Sequence, residues 1–91
     1  MKNAKYTTEF LELAHKRSIF HFNEITESDI CGCFYCKTTF DTSKILEWTD
    51  EADERGKTAL CPNCGIDSVL SDKLPIKEKE FLSKMYNKYF S

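Results

Sequence analysis

The stretch Cys31-Gly32-Cys33-Phe34-Tyr35-Cys36 is one half of the pattern that decides the fold, and Cys61-Pro62-Asn63-Cys64-Gly65 is the other. Each half contains a Cys-x-x-Cys pair, and the 24 residues 37–60 lie between them. Sulfurs three residues apart converge when a tight turn points backbone N–H groups at them, and two such turns complete a tetrahedral four-sulfur site. Glycine adopts positive φ without strain, which suits the second turn. The pattern predicts one structural Zn²⁺ ion, with the ligands Cys33, Cys36, Cys61 and Cys64.

Other uses of these cysteines are a redox Cys-x-x-Cys pair, an iron–sulfur cluster, or thiols that bind no metal. The chain has five cysteines, so one remains outside a four-sulfur site. Cys31 and Cys33 compete for one position, and the two-residue gap from Cys33 to Cys36 matches the second pair. We therefore expect Cys31 to be buried as a small apolar side chain. Its alternatives are an exchangeable ligand or a reactive thiol.

The length and composition set the class of protein. With 91 residues, the chain is predicted to form one domain, 1–91. A chain this short buries little more than about 60% of its unfolded surface, so an additional crosslink such as a metal is expected. Its 41% hydrophobic and 31% charged residues are typical of a globular protein. The net charge of −2 argues against proteins that bind nucleic acids or membranes through clustered positive charge.

The compartment follows from the start of the chain and from its hydropathy. Residues 1–12 mix charged and apolar side chains without the continuous apolar stretch of a signal peptide. No segment approaches the roughly 20 apolar residues of a membrane span. We therefore expect a cytoplasmic protein, in which thiols stay reduced and close cysteine pairs bind metal more often than they form disulfides.

Local patterns predict helices at both ends of the chain. Thr7 or Thr8 can cap a helix that runs towards Arg17, and Asn23 can cap a short turn through Ile25. A second, amphipathic helix is predicted after Pro75. Its apolar residues recur at helical spacing, and they are Phe81, Leu82, Met85, Tyr86 and Tyr89.

Short strands are predicted around the cysteine motifs. Residues 38–40 are typical of a strand, whereas residues 31–36 show neither strand nor helix periodicity. A short helix capped within residues 41–43 is predicted to carry Ile45, Leu46 and Trp48. Residues 58–60 and 66–70 are predicted to form a strand, a tight turn and a strand around the second cysteine pair, and the acidic residues 50–54 form an exposed loop. The predicted fold is a small α+β zinc-binding domain, in which a knuckle-bearing β-hairpin packs with N- and C-terminal helices.

The two motifs resemble the zinc knuckles of zinc-ribbon and treble-clef proteins. Over about residues 15–90, the chain resembles a family of small, uncharacterised bacterial cytoplasmic proteins. The resemblance rests on the ordered set Cys31-Gly32-Cys33-Phe34-Tyr35-Cys36, Phe40, Ile45, Trp48 and residues 58–69. That resemblance implies zinc and a bacterial or prophage origin. It implies no activity.

The sequence argues against an enzyme. Treble-clef nucleases place a histidine between their knuckles, but here the two histidines, His15 and His21, precede both motifs. We expect an exposed or partly packed side chain at His15. His21 is predicted to pack in the interior with a hydrogen bond to one ring nitrogen. Alternatively, it forms a hydrogen bond with a thiolate that binds the metal. A four-cysteine zinc site also leaves no open position for an activated water.

The remaining hypothesis is a binding module for an unknown protein partner. Phe34 and Tyr35 project from the first knuckle, and they are candidate contact residues if they are exposed. The alternative is that both rings pack against the helices. The second functional candidate is a nucleic-acid-associated regulator, which the acidic net charge disfavours. Its evidence is the positive charge on the predicted last helix, which carries Lys77, Lys79, Lys84 and Lys88.

Overall fold

The computed structural model describes residues 6–90, with helices near both ends. Helix α1 spans Thr8–Lys16 and begins where predicted, because Thr7 Oγ1 accepts a hydrogen bond of 3.0 Å from the Phe10 N–H. The next helix, α2 (Phe22–Thr26), has His21 as its N-cap, so the prediction that Asn23 caps it was wrong. The last helix, α3 (Lys79–Tyr89), confirms the predicted amphipathic pattern, because Phe81, Leu82 and Met85 are its buried residues.

In the part of the chain that the structure describes, the strands form two small antiparallel sheets. The larger sheet has three strands in the order β2-β1-β5, with β1 spanning Ile30–Cys33, β2 Thr38–Asp41 and β5 Val69–Leu70. The smaller sheet pairs β3 (Trp48–Thr49) with β4 (Thr58–Ala59). The molecule is thus a small α+β structure in which the turn of the β1–β2 hairpin carries the first cysteine motif.

Strand β1 was not predicted. It lies in the middle of the larger sheet, where Gly32 pairs with Thr39 of β2 on one side and with Leu70 of β5 on the other. Cys31, Gly32 and Cys33 are all buried. A central strand covered on both faces lacks the apolar–polar alternation that indicates a strand in a sequence.

The predicted hairpin around the second motif was wrong. Its two strands exist, but β4 pairs with β3 and β5 pairs with β1. The Cys61 N–H donates to the Ile66 carbonyl at 3.0 Å, and this bond closes the turn. Beyond it the Phe34 N–H donates to the Ser68 carbonyl at 3.1 Å, which directs the returning chain to β1. The turn therefore connects two sheets.

The predicted helix carrying Ile45, Leu46 and Trp48 was also wrong. Only a single 3₁₀ turn forms, over Thr42–Lys44, and the chain then becomes extended. Ile45 is 7% exposed whereas Leu46 is 84% exposed, as expected for neighbours in extended chain. Trp48 lies in β3 opposite Ala59. Pairing with β4 therefore overrides the local preference for a helix.

Among residues 6–90, the buried apolar side chains form two clusters. The helical core joins α1 and α3 to one face of the larger sheet, and it contains Leu11, Ala14, Phe34, Leu70, Leu74, Ile76, Phe81, Leu82 and Met85, with Tyr6 at its edge. The cysteine core is smaller, and it contains Ile25, Cys31, Cys33, Ile45, Ala59, Cys61 and Val69. Since three of the seven residues in the cysteine core are cysteines, its integrity depends on the state of their sulfurs.

Candidate metal centre

The first knuckle lies at the turn of the β1–β2 hairpin. Cys33 ends β1, Cys36 lies in the turn, and Lys37 has a left-handed φ of 61° that returns the chain into β2. The Tyr35 N–H donates to Cys33 Sγ at 3.4 Å. A backbone donor aimed at sulfur favours the thiolate, the form that binds metal.

The second knuckle follows β4. Cys61 Sγ accepts from the N–H groups of Asn63 and Cys64, at 3.3 and 3.4 Å. Gly65 has a φ of 79°, which confirms that this position requires the left-handed backbone that glycine adopts readily. Its N–H donates to the Cys61 carbonyl at 2.8 Å, so the turn is closed by its own backbone.

The two knuckles bring four sulfurs together. Those of Cys33, Cys36, Cys61 and Cys64 all lie within 4.8 Å of one another. The Cys33–Cys64 distance is 3.6 Å and the Cys36–Cys61 distance is 3.7 Å. Sulfurs bound to zinc at about 2.3 Å lie about 3.8 Å apart at tetrahedral corners, whereas a disulfide requires about 2.05 Å. All five cysteines are free thiols, and the spacing fits one metal ion.

Among residues 6–90, two hydroxyl groups lie within hydrogen-bond distance of these four sulfurs. Ser68 Oγ lies 3.0 Å from Cys33 Sγ, and Thr38 Oγ1 lies 3.1 Å from Cys36 Sγ. A hydroxyl donates to a thiolate, so both groups stabilise the charge that a metal site requires. Sequence reasoning identified neither residue. Thr38 could have been found by its position two residues after Cys36, whereas Ser68 reaches Cys33 only through the pairing of β1 with β5.

The thiols differ in their electrostatic environments. Burial raises the pKa of Cys33, against hydrogen bonds from Ser68 and from backbone N–H groups, and burial likewise raises the pKa of Cys64. Burial would also raise the pKa of Cys36. Hydrogen bonds from Thr38, from Asn63 and with the neighbouring sulfurs outweigh burial, and they lower the pKa of Cys36 to about 6. One thiolate is therefore favoured at neutral pH, while other sulfurs must release protons when a metal binds.

Cys31 lies apart from this cluster. Within residues 6–90, the group of side chains that could hold a metal contains the other four cysteines and excludes Cys31. Its side chain is 0% exposed, and its sulfur lies 3.3 Å from Thr42 Oγ1. Burial raises the pKa of this thiol. The structure thus places Cys31 as a buried, protonated side chain of β1, outside the group of four sulfurs.

The histidines also lie away from the sulfurs. His15 is exposed and stacks on Tyr89, with 3.9 Å between ring centroids. His21 is 4% exposed, and both of its ring nitrogens have backbone partners. Nδ1 lies 2.8 Å from the Arg17 carbonyl, and Nε2 accepts from the Ala59 N–H at 3.0 Å. His21 is therefore a packing histidine, with two satisfied nitrogens rather than one, and the alternative of a bond to a thiolate was wrong.

The two aromatic residues of the first knuckle have opposite environments. Phe34 is 2% exposed and belongs to the helical core, so it does not form part of the surface and the prediction of a contact there was wrong. Tyr35 is 38% exposed. Its ring meets Phe90 edge-to-face at 4.8 Å and lies 5.9 Å from the ring of Tyr86. A partner contact at Tyr35 stays a prediction.

Comparison with known proteins gives no match to a family model, to a curated protein or to a solved structure. The resemblance of the two motifs to a bacterial protein family therefore stays a prediction. Among residues 6–90, no helix has the length and apolar composition needed to cross a membrane.

Proposed function

We propose that Cys33, Cys36, Cys61 and Cys64 hold one structural zinc ion. The observation that carries this proposal is the spacing of their sulfurs, with 3.6 and 3.7 Å between the two pairs that bridge the knuckles. Thiolates select zinc among the common divalent ions of cells, and four of them saturate its tetrahedral sphere. The ion would join the β1–β2 hairpin to the turn after β4 and would complete the cysteine core.

A closed four-sulfur site supports a structural role and not catalysis. Its sulfurs occupy every tetrahedral position, so no water can be activated on the metal. The two histidines are engaged elsewhere, one stacked on Tyr89 and the other bonded to backbone. We therefore propose that the chain is not an enzyme.

The experiment for the metal uses two buried cysteines of the same strand. Cys33→Ser and Cys31→Ser make the same change at positions that are both 0% exposed. We expect about one zinc per chain in the wild type and in Cys31→Ser, and less than half an equivalent in Cys33→Ser, by elemental analysis of metal-replete protein. Equal loss of zinc in both variants would indicate general unfolding instead of loss of a ligand.

We further propose that the chain is a protein-interaction module that uses the surface around Tyr35. This Tyr35 patch consists of Tyr35, Tyr86 and Phe90, with Lys37 Nζ 4.5 Å from the centroid of the Tyr86 ring. Phe90 is 39% exposed. Tyrosine and phenylalanine are enriched at protein interfaces, since they bury large areas at low entropic cost. Tyr35 lies in the first knuckle, whereas Tyr86 and Phe90 belong to the end of α3, so the metal would fix the position of Tyr35 against these two rings.

Affinity capture from native host cells tests this proposal, with nuclease-treated and untreated lysates in parallel. We expect the wild type to capture a specific protein. The Tyr35→Ala variant should capture this protein poorly although the variant retains its zinc. Leu13→Ala is the matched control, because Leu13 is 55% exposed on α1 and outside the patch. A partner captured equally by both variants would contradict a contact at Tyr35.

One observation favours nucleic acid as the second candidate partner. Lys37 over Tyr86, beside the exposed rings of Tyr35 and Phe90, has the cation-and-aromatic composition of single-strand stacking surfaces. Charge opposes it, since four thiolates and one Zn²⁺ add −4 + 2 = −2 to the formal charge of −2, giving about −4. We expect binding to single-stranded and duplex DNA to be weaker than about 1 μM at physiological salt. Tight binding to nucleic acid that Tyr35→Ala and Lys37→Glu both reduce would favour this candidate, because both substitutions remove part of the proposed stacking surface.

A further inference from the structure

A cleft next to the second knuckle combines an apolar knob with an apolar groove. Leu46 is 84% exposed, the highest fraction among the exposed large apolar side chains of residues 6–90. It lines a cleft of about 340 Å³ together with Leu60, Pro62 and Gly65. No heavy atom lies within 4 Å of the point where a Cβ on Gly65 would stand, so the cleft is open there. This surface is called the Leu46 patch, and it is distinct from the Tyr35 patch.

Opposite charges complete the Leu46 patch. Lys44 and Glu47 line the same cleft, on either side of Leu46 in the chain. Both residues are exposed, and neither forms an ion pair with any residue in the range 6–90. The patch therefore contains an exposed knob, a groove beside it, one unpaired cation and one unpaired anion.

A surface with this composition is complementary to itself. In a two-fold interface the same patch occurs on both subunits, so a contact from one residue to another is made twice. We propose that the Leu46 patch binds a second copy of this chain, as a two-fold symmetric dimer. Leu46 of each copy enters the cleft of the other copy near Gly65 and Pro62. Lys44 of each copy pairs with Glu47 of the second copy, so both charges are compensated.

The charge pattern distinguishes this occupant from a different protein. A foreign ligand would need its own apolar side chain flanked by an anion and a cation, whereas a second copy carries this combination on the same patch. The patch is small, so the interface belongs to the weak class below about 1,200 Å². The net negative charge of each copy also opposes association. We therefore expect a dimer that dissociates on dilution.

Sedimentation equilibrium tests the proposal on the full zinc-loaded chain, with a phosphine reductant present so that no intermolecular disulfide forms. Concentrations from about 1 μM to about 1 mM cover the dissociation constants of weak interfaces. We expect the wild type to change from monomer to dimer within this range. A wild type that stays monomeric up to about 1 mM would overturn the proposal.

Two variants with the same substitution separate the Leu46 patch from other surfaces. Leu46→Glu is expected to raise the dissociation constant at least about tenfold. Leu13→Glu changes an exposed leucine elsewhere and is expected to leave the constant within about twofold of the wild-type value. Circular dichroism and zinc content verify that both variants are folded. Dimerisation of Leu46→Glu with the wild-type constant would place the interface on another surface and overturn the proposal.

Charge exchange tests the two-fold geometry. In Lys44→Glu two acidic side chains would face each other across the interface, and in Glu47→Lys two basic side chains would do so. Each variant alone is therefore expected to be largely monomeric at the concentration where half of the wild type is dimeric. An equimolar mixture of the two variants restores both opposite-charge pairs, and we expect it to form heterodimers. The double variant K44E/E47K is likewise expected to dimerise by itself. A mixture that stays monomeric under conditions where the wild type dimerises would overturn the two-fold arrangement.

Discussion

His21 accepts a hydrogen bond of 3.0 Å at Nε2 from the backbone N–H of Ala59, two residues before the ligand candidate Cys61. Its Nδ1 therefore carries the proton and donates to the Arg17 carbonyl at 2.8 Å. The bond at Nε2 requires the neutral ring, because a protonated ring has no acceptor nitrogen. One imidazole thus links the end of α1 to β4 and to the second knuckle.

Acid is expected to weaken the fold through His21. Burial lowers its pKa from the ordinary 6.5, against smaller upward effects of the Arg17 carbonyl and Glu24. Between pH 6.5 and the lower pKa of the folded state, His21 is protonated in the unfolded chain and neutral in the folded chain. The free energy of unfolding therefore falls as the pH is lowered through this range. Titration of the imidazole by NMR is expected to give a pKa below 6.5. Unfolding by denaturant at pH 7.5 and 5.5 measures the loss of stability. This loss should be smaller in His21→Gln than in the wild type.

The same samples must be checked for zinc, because metal release in acid would also lower stability. Full zinc occupancy at pH 5.5 excludes metal release, and the difference between the wild type and His21→Gln then measures the contribution of His21. An imidazole pKa above 6.5 would contradict the prediction.

Ser68→Ala is expected to weaken zinc binding without removing a ligand. The Ser68 hydroxyl lies 3.0 Å from Cys33 Sγ, and loss of such a hydrogen bond to a metal ligand typically lowers affinity 10- to 100-fold, so we expect about tenfold. Competition with a chromophoric chelator measures the affinity. Ser43→Ala removes an exposed hydroxyl from the 3₁₀ turn and is the control. Equal affinities for the two variants would exclude a role for Ser68.

Removal of the metal is expected to disrupt the cysteine core before the helical core. Trp48 packs against the cysteine core, and its ring lies 5.1 Å from that of Phe22. Structural zinc contributes about 10–16 kcal/mol of apparent binding free energy in small peptides, so its loss is severe for a 91-residue chain. We expect chelation to abolish most of the near-ultraviolet signal of Trp48 and a smaller fraction of the far-ultraviolet helical signal. Addition of zinc should restore both, and an unchanged Trp48 signal would contradict the prediction.

Gly32→Ala is expected to destabilise the protein by steric conflict. A Cβ at Gly32 would lie 2.8 Å from the Cβ of Ile76, an atom that side-chain rotation cannot move. Overpacking of this kind costs about 1–3 kcal/mol. Denaturant unfolding of the zinc-loaded protein measures the change in the free energy of unfolding. An unaltered midpoint in Gly32→Ala would contradict the prediction.

Gly65→Ala gives the contrasting case. No atom lies within 4 Å of its added Cβ, but the φ of 79° imposes backbone strain of about 1–2 kcal/mol. Gly65→Asn should recover part of that loss, because asparagine tolerates the left-handed region. Gly32→Asn should recover nothing, since its conflict is with Ile76.

The features that the sequence determined act over a few residues. Thr7 caps α1 because its side chain reaches an N–H three residues later, and the period of Phe81, Leu82 and Met85 defines the buried face of α3. The spacing of Cys61 and Cys64, with Gly65 after them, likewise specifies a turn whose hydrogen bonds are internal. Local chemistry alone determines such features, so they could be predicted.

Only the tertiary structure decided which strands pair and which side chains are buried. Residues near Trp48 form an extended segment because β4, about ten residues away in the chain, offers a partner, and Ser68 reaches Cys33 because β5 joins β1. Phe34 and Tyr35 are adjacent aromatic residues, yet one is 2% exposed and the other 38%. Their difference arises from the position of α1 and α3 over the sheet. That position depends on the free energy of burying whole surfaces against each other, which no short stretch of sequence encodes.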